Sequence, residues 1–338
     1  MHKFSDLFKT TKKRSSAGGI DIINTPLVEK YRPSEFNDIL LDKHVYTKLN
    51  EMLTSKIITN LIISGSPGTG KTTTVLCLAK MLVGDYYDDG VIELNASDDR
   101  VVNAITEKIV PFCKKRIVRT ENEGKIMKIV IMDEADNITG KAQNALSNLM
   151  DQFIDTTRFI FTCNDTTKIM ETIQSKCMIL RFSKLNNEQI KKRLIHIAKL
   201  ENIKYTDEGL NAIVFTAQGD IRQAINNLET TFVGYDEITP TNVYKICSQP
   251  QPILITNIIH ACLATDVTTA INRTVDLINS GYCSNDILLS MVSVLKEICI
   301  NESIRISYIK TISETFITIN SAVDSNLQLI ACIAKMAK

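Results

Sequence analysis

Tryptophan is absent from the 338-residue chain, and its nine cysteines are scattered without one Cys-x-x-Cys pair. Zinc sites built on closely spaced cysteines are therefore not expected. No apolar run is long enough to cross a bilayer, and the first residues show no secretory pattern, so neither a membrane-spanning nor an exported chain is predicted. These absences predict mostly buried thiols in a reducing compartment.

The chain also lacks an excess of either charge, because it has 39 basic and 38 acidic residues and a formal net charge of +1. Overall charge therefore neither favours nor excludes a nucleic-acid partner, and any basic surface must be local. The hydrophobic content of 44% is typical of globular proteins. Because a single hydrophobic core usually stops growing before 338 residues, the length predicts two or three domains.

One glycine-rich stretch, residues 65–72, matches the phosphate-binding pattern GxxxxGK[ST]. An apolar run at 61–63 precedes it and a helix-forming stretch at 73–83 follows, which is the context that the motif needs. Its glycines let backbone N–H groups converge on a phosphate, and the helix N-terminus adds positive potential. Lys71 is predicted to reach the β- and γ-phosphates, and Thr72 to bind Mg²⁺. The predicted nucleotide-binding residues of this loop are Gly65, Ser66, Pro67, Gly68, Thr69, Gly70, Lys71, Thr72 and Thr73.

Four further apolar runs follow the loop, at residues 91–94, 128–132, 158–163 and 177–182. A dozen or more residues with helical stretches separate successive runs, which is the length that crossovers between parallel strands need. Near-continuous apolar strands are typical of a sheet covered on both faces. Residues 25–183 are therefore predicted to form one α/β domain with a doubly wound parallel sheet, whose ligands bind at the carboxyl ends of the strands.

Polar residues stand at two of those carboxyl ends. Asp133 is predicted to bind Mg²⁺, partly through water, because Mg²⁺ keeps most of its hydration. Glu134 is predicted to orient and deprotonate the attacking water. Asn164, after the next strand, is predicted to position water or to sense the γ-phosphate. Taken alone, Asp133 and Glu134 also fit an acidic helix cap, and Asn164 also fits a turn. A phosphate-binding loop at the end of another strand of the same sheet favours the catalytic interpretation.

The remainder of the chain shows no further strand pattern. Residues 184–247 have helical spacing, with a capping box at Asn186 and Gln189 and a helix cap at Asp220. Arg222 lies in a helix's first turn, where the macrodipole disfavours a cation, so an anionic partner is favoured over a solvated charge. Residues 249–252, Gln-Pro-Gln-Pro, predict a linker, residues 253–338 are helical by pattern, and residues 1–24 predict a flexible tail.

Taken together, the motifs resemble those of replication factor C small subunits, the AAA+ sliding-clamp loaders of eukaryotes, archaea and some large DNA viruses. The resemblance covers the chain from Leu27 to its end. The segments that carry it are residues 28–33 (Val-Glu-Lys-Tyr-Arg-Pro), 65–72, 93–100 (Glu-Leu-Asn-Ala-Ser-Asp-Asp-Arg), 133–136, 142–146, 164, 174–177 and 219–222.

The resemblance implies an AAA+ ATP-binding domain at 25–183, a helical lid at 184–247 and an all-helical collar at 253–338. In that family ATP and Mg²⁺ lie between neighbouring subunits of a hetero-pentameric ring, which opens a clamp around primer–template DNA without sequence preference. The implied compartment is the nucleus or a viral replication compartment. The residues given a role by the resemblance are Val28, Tyr31 and Arg32 at the adenine and ribose, Asn164 as sensor 1, and Arg222 as sensor 2.

The resemblance also implies that the helix after Arg100 faces the clamp and DNA. Ile109 and Phe112 are then expected to touch the clamp. Phosphate contacts would be insensitive to sequence and sensitive to salt, although a solvated basic face remains an equal alternative. The basic residues concerned are Lys114, Lys115, Arg116 and Arg119.

Three departures from the family pattern accompany these matches. Lys176 stands where the family usually has an arginine that serves the neighbour's ATP, Ser147-Asn148 replaces two arginines, and the usual glycine and apolar residue after Arg100 are missing. We predict that Lys176 still acts in trans, though less well than arginine. Two alternatives to an ATP-hydrolysing clamp loader are a ring component that binds ATP mainly for assembly and another AAA+ DNA remodeller, such as a branch-migration motor.

Overall fold

The structure, a computed structural model, describes residues 25–55, 58–96, 105–115, 127–247, 249–321 and 326–337. The predicted tail, all of residues 97–104 and the basic residues Arg116 and Arg119 lie outside these ranges. Within them, no helix is sufficiently long and apolar to span a membrane.

A five-stranded parallel sheet forms the centre of the first part of the chain, as predicted, with the strand order β2-β3-β4-β1-β5. The middle strands are apolar along their length, and Leu61, Ile62 and Ile63 are fully buried because helices cover both faces. Strand β4 therefore lies between β1 and β3, which brings their carboxyl ends together. The strands are β1 (Leu61–Gly65), β2 (Val91–Asn95), β3 (Lys128–Asp133), β4 (Thr157–Cys163) and β5 (Met178–Phe182).

Two hydrophobic cores lie on opposite faces of this sheet, because successive strand residues point to opposite sides. Ile129 and Ile131 pack on the face that also contains the phosphate-loop helix, whereas Val130 and Met132 pack on the other. The helices of this part are α1 (Leu27–Lys30), α2 (Lys43–Ser55), α3 (Lys71–Val83), α4 (Tyr87–Gly90), α5 (Val110–Lys114, after a π-helical stretch at Ile105–Ile109), α6 (Gly140–Gln152) and α7 (Glu171–Gln174). Short 3-10 turns lie at Phe36–Asp38, Gly84–Tyr86, Ala135–Asn137 and Thr166–Lys168.

The lid follows as a small helical unit with its own core. The predicted capping box at Asn186 and Gln189 is present, and the Asp220 carboxylate accepts from the Gln223 N–H at 3.0 Å. The expectation of no further strands is wrong, because two two-residue strands pair in parallel; strands that short carry no periodicity. The lid comprises α8 (Asn187–Leu200), β6 (Lys204–Tyr205), α9 (Asp207–Ala217), α10 (Ile221–Tyr235), β7 (Glu237–Ile238) and α11 (Pro240–Cys247).

Five helices in the described part of residues 249–337 form the last unit around a separate core. The first begins at Pro252, inside the predicted linker, because proline has no N–H to lose at the first position of a helix. Several large apolar side chains on this unit face outwards, among them Ile253, Ile306, Ile317 and Leu327. The helices are α12 (Pro252–Leu263), α13 (Val267–Asn279), α14 (Ser284–Glu297), α15 (Glu302–Ser321) and α16 (Asn326–Met336).

Candidate functional site

The Lys71 ammonium lies where the ends of β1 and β4 meet. Its Nζ donates to the Gly65 carbonyl at 2.8 Å, to the Ser66 carbonyl at 2.9 Å and to Asn164 Oδ1 at 2.8 Å. Burial is the main cause of a lowered pKa for Lys71, because a desolvated ammonium is disfavoured. A phosphate anion beside it would compensate that cost. Sequence reasoning thus placed Lys71 and Asn164 at one site, and the structure brings them into contact.

Thr72 and Asp133 face each other beside the lysine. The Thr72 hydroxyl lies 3.1 Å and 3.0 Å from the two carboxylate oxygens of Asp133. A hydroxyl and a carboxylate are hard oxygen donors of the kind that Mg²⁺ takes while it keeps several waters and binds substrate phosphates. Among the residues that the structure describes, no group of three or more His, Cys, Asp or Glu side chains could hold a metal ion. The donor set therefore fits an ion that takes few protein ligands.

Thr162 is a member of this site that sequence reasoning missed. Its hydroxyl donates to Asp133 Oδ1, and its side chain is almost fully buried in β4. It fixes the carboxylate that faces Thr72. The available signal was a hydroxyl within an otherwise apolar strand, directly beside the strand that carries Asp133.

Glu134 adopts a left-handed backbone conformation, with φ of 53° and ψ of 41°. Its N–H group donates to Asp133 Oδ1 at 3.1 Å and to Thr162 Oγ1 at 3.3 Å, which holds the turn. Residues other than glycine rarely adopt this conformation, and such exceptions concentrate at functional sites. The residue is exposed, so water reaches its carboxylate.

Two adjoining cavities form a single cleft, because Arg32, Gly68, Gly70, Thr73 and Arg222 line both. The phosphate-side cavity is the one that also contains Lys71, Thr72, Glu93, Asp133, Glu134, Thr162 and Asn164. The lid-side cavity is the one that also contains Val28, Tyr31, Ile39, Leu185, Arg193 and Ile225. The three residues expected at the adenine and ribose therefore all line the lid-side cavity.

The phosphate loop touches the lid at Gly68. Its carbonyl accepts from the Ile221 N–H at 3.3 Å, at the start of α10. Gly68 has φ of +68°, and a Cβ there would lie 1.7 Å from Asp220 Oδ1, so only glycine fits without movement. This contact brings Arg222 to the junction of the two cavities.

Residues 27–33, which we call the strap, cross between the lid and the sheet domain. Leu27, Val28 and Tyr31 pack against the lid core, although the predicted boundary at residue 25 grouped them with the α/β domain. The Leu27 N–H donates to Glu229 at 3.0 Å, and Arg193 Nη2 donates to the Tyr31 carbonyl at 2.8 Å. No local motif distinguishes Arg193 in the sequence, so sequence reasoning missed it.

Lys176 is held within its own chain. Its Nζ donates to the Ser147 carbonyl at 3.1 Å, to Ser147 Oγ at 2.8 Å and to Asp151 Oδ2 at 2.7 Å. Two of the departures from the family pattern, Lys176 and Ser147, are therefore in direct contact. Action of Lys176 on a neighbouring subunit stays a prediction.

The helix expected to face a clamp and DNA shows a mixed outcome. The expected clamp contact by Ile109 is wrong, because this side chain is fully buried in the core on one face of the sheet. Phe112 is half-buried, with Lys128 Nζ 5.6 Å from its ring centroid. Lys114 and Lys115 are exposed, and Lys115 forms an ion pair with Asp89 at 2.5 Å.

Three family models match consecutive parts of the chain. They are described as "ATPase family associated with various cellular activities (AAA)" at residues 61–185, "RFC1-like, AAA+ ATPase lid domain" at 187–244 and "Replication factor C C-terminal domain" at 250–335. Together they account for the sheet domain, the lid and the last five helices in the order that the structure has them.

Curated relatives match over nearly their whole length. Replication factor C subunit 4 of Saccharomyces cerevisiae is 44% identical over 94% of this chain and 97% of its own. A replication factor C small subunit of Acanthamoeba polyphaga mimivirus is 41% identical over 93% and 97%, respectively. The replication factor C small subunit of Methanococcus maripaludis is 35% identical over 92% and 98%.

Among solved structures, the Thermotoga maritima RuvB Holliday junction branch migration motor is similar. It has a TM-score of 0.52 and 17% sequence identity, and the match covers 68% of this chain and 79% of that chain. At this identity the likeness concerns the fold alone.

Proposed function

The chain belongs to the replication factor C small-subunit family, and we propose that its ATPase site drives the opening and loading of a DNA sliding clamp on primer–template DNA. The chain is an AAA ATPase and a clamp-loader subunit of that family. The observation that carries the proposal is the convergence of Lys71, Thr72, Asp133, Glu134 and Asn164 on one edge of the sheet.

Each of these residues has a distinct task in the proposed hydrolysis. The loop amides and Lys71 bind the β- and γ-phosphates, while Asn164 fixes the Lys71 ammonium. Thr72 and Asp133 would hold Mg²⁺, and a bound ion would neutralise charge that develops on the phosphates. Glu134 accepts a proton from the attacking water, which its exposed position at the strand end permits. Arg222 contacts the phosphates from the lid side.

Protein partners are supported by the outer surface of the last five helices. Ile253 is 70% exposed, Ile317 is 65% exposed and Leu327 is 71% exposed. A contiguous exposed apolar patch is typical of a protein interface, and we infer that these side chains contribute to one. We assign this unit to the collar of a hetero-pentameric ring, in which neighbouring subunits complete the ATP sites.

The proposed DNA contact is through phosphates and lies at the exposed lysines Lys114 and Lys115. The proposed place of action is the nucleus or a viral replication compartment, since the relatives include replication factors of eukaryotes and of a virus. The 1–24, 25–183, 184–247 and 253–338 boundaries remain our predicted division of the chain.

A second candidate function, ATP binding mainly for ring assembly, is favoured by one observation. Lys176 is engaged by Ser147 and Asp151 of the same chain, so a trans-acting cation from this subunit must first leave those partners. The intact set of Lys71, Thr72, Asp133 and Glu134 favours hydrolysis by the subunit's own site.

The decisive experiment uses the chain co-purified with its co-expressed partner subunits, after subunit stoichiometry has been measured. ATP turnover is recorded with clamp alone, primed DNA alone, both, and neither. We expect turnover to rise most with both. A matched ring that carries Glu134→Gln in this subunit alone shows how much of the total ATP turnover this subunit contributes. No rise with clamp and primed DNA would contradict the clamp-loading role.

A further inference from the structure

One carboxylate in the lid binds two neighbouring residues of the strap. Lys30 Nζ and the Tyr31 hydroxyl each donate to Glu201 Oε1, both at 2.5 Å. Glu201 lies directly after α8 and follows Arg193 by eight residues, which places both on one side of the helix. Arg193 donates to the Tyr31 carbonyl. Arg193 on α8 and Glu201 directly after it thus bind the backbone and the side chain of Tyr31, respectively.

The other end of the strap is attached to the phosphate-loop helix. Arg32 Nε lies 3.3 Å from Thr73 Oγ1, and the Pro33 carbonyl accepts from Cys77 Sγ at 3.4 Å. Both partners lie on α3, which begins at Lys71. The strap therefore connects α8 of the lid with the helix that follows the phosphate loop.

Tyr31 lines the lid-side cavity, whereas Glu201 does not, so any effect of Glu201 on the cavity must pass through Tyr31. Hydrogen bonds from Lys30 and then from Tyr31 hold the pKa of Glu201 below its usual value. The carboxylate is 23% exposed and the Lys30 side chain is 51% exposed, so solvent weakens the charge pair. The geometric consequence persists, because one carboxylate oxygen fixes the side chain of Tyr31, a residue that lines the cavity.

We propose that Glu201 is a positioning residue for nucleotide binding, which acts by holding Tyr31 against the nucleoside part of ATP. The inference rests on the proposed function, because it takes ATP as the ligand of the cleft. A wall that is already ordered loses less conformational freedom when the ligand binds. Glu201 should therefore affect the nucleoside share of affinity and leave the triphosphate share unchanged.

The test compares two ligands that share a triphosphate chain, of which only one carries a nucleoside. Binding of radiolabelled ATP to the full chain gives its Kd, and competition by inorganic tripolyphosphate gives the affinity for the phosphates alone. The variants are Glu201→Gln and Tyr31→Phe, each of which weakens or removes the shared contact with little change in shape. Glu208→Gln is the matched control, because it makes the same substitution at an exposed lid position.

We expect ATP affinity to fall roughly 3- to 10-fold in Glu201→Gln and in Tyr31→Phe, as for a partly exposed hydrogen bond to a charged group. Tripolyphosphate affinity should match wild type, and Glu208→Gln should match wild type for both ligands. The double variant should have the same ATP affinity as whichever single variant binds ATP more weakly. Both changes break the same hydrogen bond between Tyr31 and Glu201, so their effects should not add.

Unchanged ATP affinity in both single variants would overturn the inference. An equal loss for ATP and tripolyphosphate would overturn it as well, since that pattern reports general distortion of the cleft. A wild-type chain that binds neither ligand would contradict the proposed function itself, which separates the two failures. The midpoint of thermal unfolding, measured for each variant, shows whether a loss of binding results from loss of folding.

Discussion

The two cavities of the cleft are built in different ways. The phosphate-side cavity takes Lys71 and Thr72 from the start of α3, and Asp133 and Asn164 from strand ends that the parallel sheet brings together. The lid-side cavity is lined by the strap, residues 38–40, the phosphate loop and two lid helices, so its shape depends on where the lid lies. In our proposal, the sheet positions most of the groups that act on the phosphates, with Arg222 added by the lid, whereas nucleoside binding is coupled to lid position.

The largest expected effect concerns chemistry on the phosphate side. Glu134→Gln should reduce ATP turnover by about 10²–10⁴-fold, because the amide cannot accept the water's proton. ATP affinity should remain close to wild type, since the substitution is nearly isosteric and leaves Lys71 and Thr72 in place. Single-turnover hydrolysis and equilibrium binding, in rings whose other sites are silenced, measure the two quantities separately.

Glu171→Gln, at an exposed position on α7, is the matched control and should leave both quantities unchanged. Normal turnover in Glu134→Gln would show that another group accepts the proton.

The next effect distinguishes the two cavities through binding. Lys71→Ala should weaken ATP and tripolyphosphate equally, by roughly 10- to 100-fold, because hydrogen bonds to a charged group are removed. This equal loss contrasts with the ATP-only loss expected for Glu201→Gln. Lys80→Ala, an exposed lysine on the same helix, is the control. Selective loss of ATP binding in Lys71→Ala would mean that the lysine does not bind the phosphates.

A third effect concerns the neighbouring subunit's site. An arginine finger contributes roughly 10³–10⁵-fold to rate, so a lysine in its place should retain part of that contribution. We expect Lys176→Ala to lower turnover at the neighbour's site and Lys176→Arg to raise it. Single-turnover hydrolysis in rings with one active site, next to this subunit, is the measurement.

The control for that comparison is Lys168→Ala, which replaces an exposed lysine that also lies between β4 and β5. If Lys176→Ala leaves the neighbour's rate unchanged, the contacts with Ser147 and Asp151 are its whole role.

The smallest effect is on DNA binding outside the cleft. Lys114→Ala should reduce the slope of log affinity against log salt by about 0.9, which is the value expected when one lysine no longer neutralises a phosphate. ATP affinity should not change, because the residue lies away from both cavities. A salt titration of primed-DNA binding measures the slope, with Lys310→Ala, at an exposed position on α15, as control. An unchanged slope would favour the solvated-face alternative.

The sequence predicted the phosphate-side cavity because its residues lie in short motifs at strand ends, and a parallel sheet necessarily brings such ends together. It did not predict the contact of Tyr31 with Glu201, because 170 residues separate them and no local pattern connects them. Ile109 was assigned to a surface although Ile105, Ile109 and Cys113 recur every four residues, a spacing that predicts one buried face.

The most direct test of the divided cleft is the structure of the assembled ring with a non-hydrolysable ATP analogue. Our account predicts the triphosphate at Lys71 and Thr72, and the base in the lid-side cavity against Val28, Tyr31 and Ile225, with the Tyr31–Glu201 contact intact. A base that lies outside the lid-side cavity, while the triphosphate stays on the loop, would contradict it.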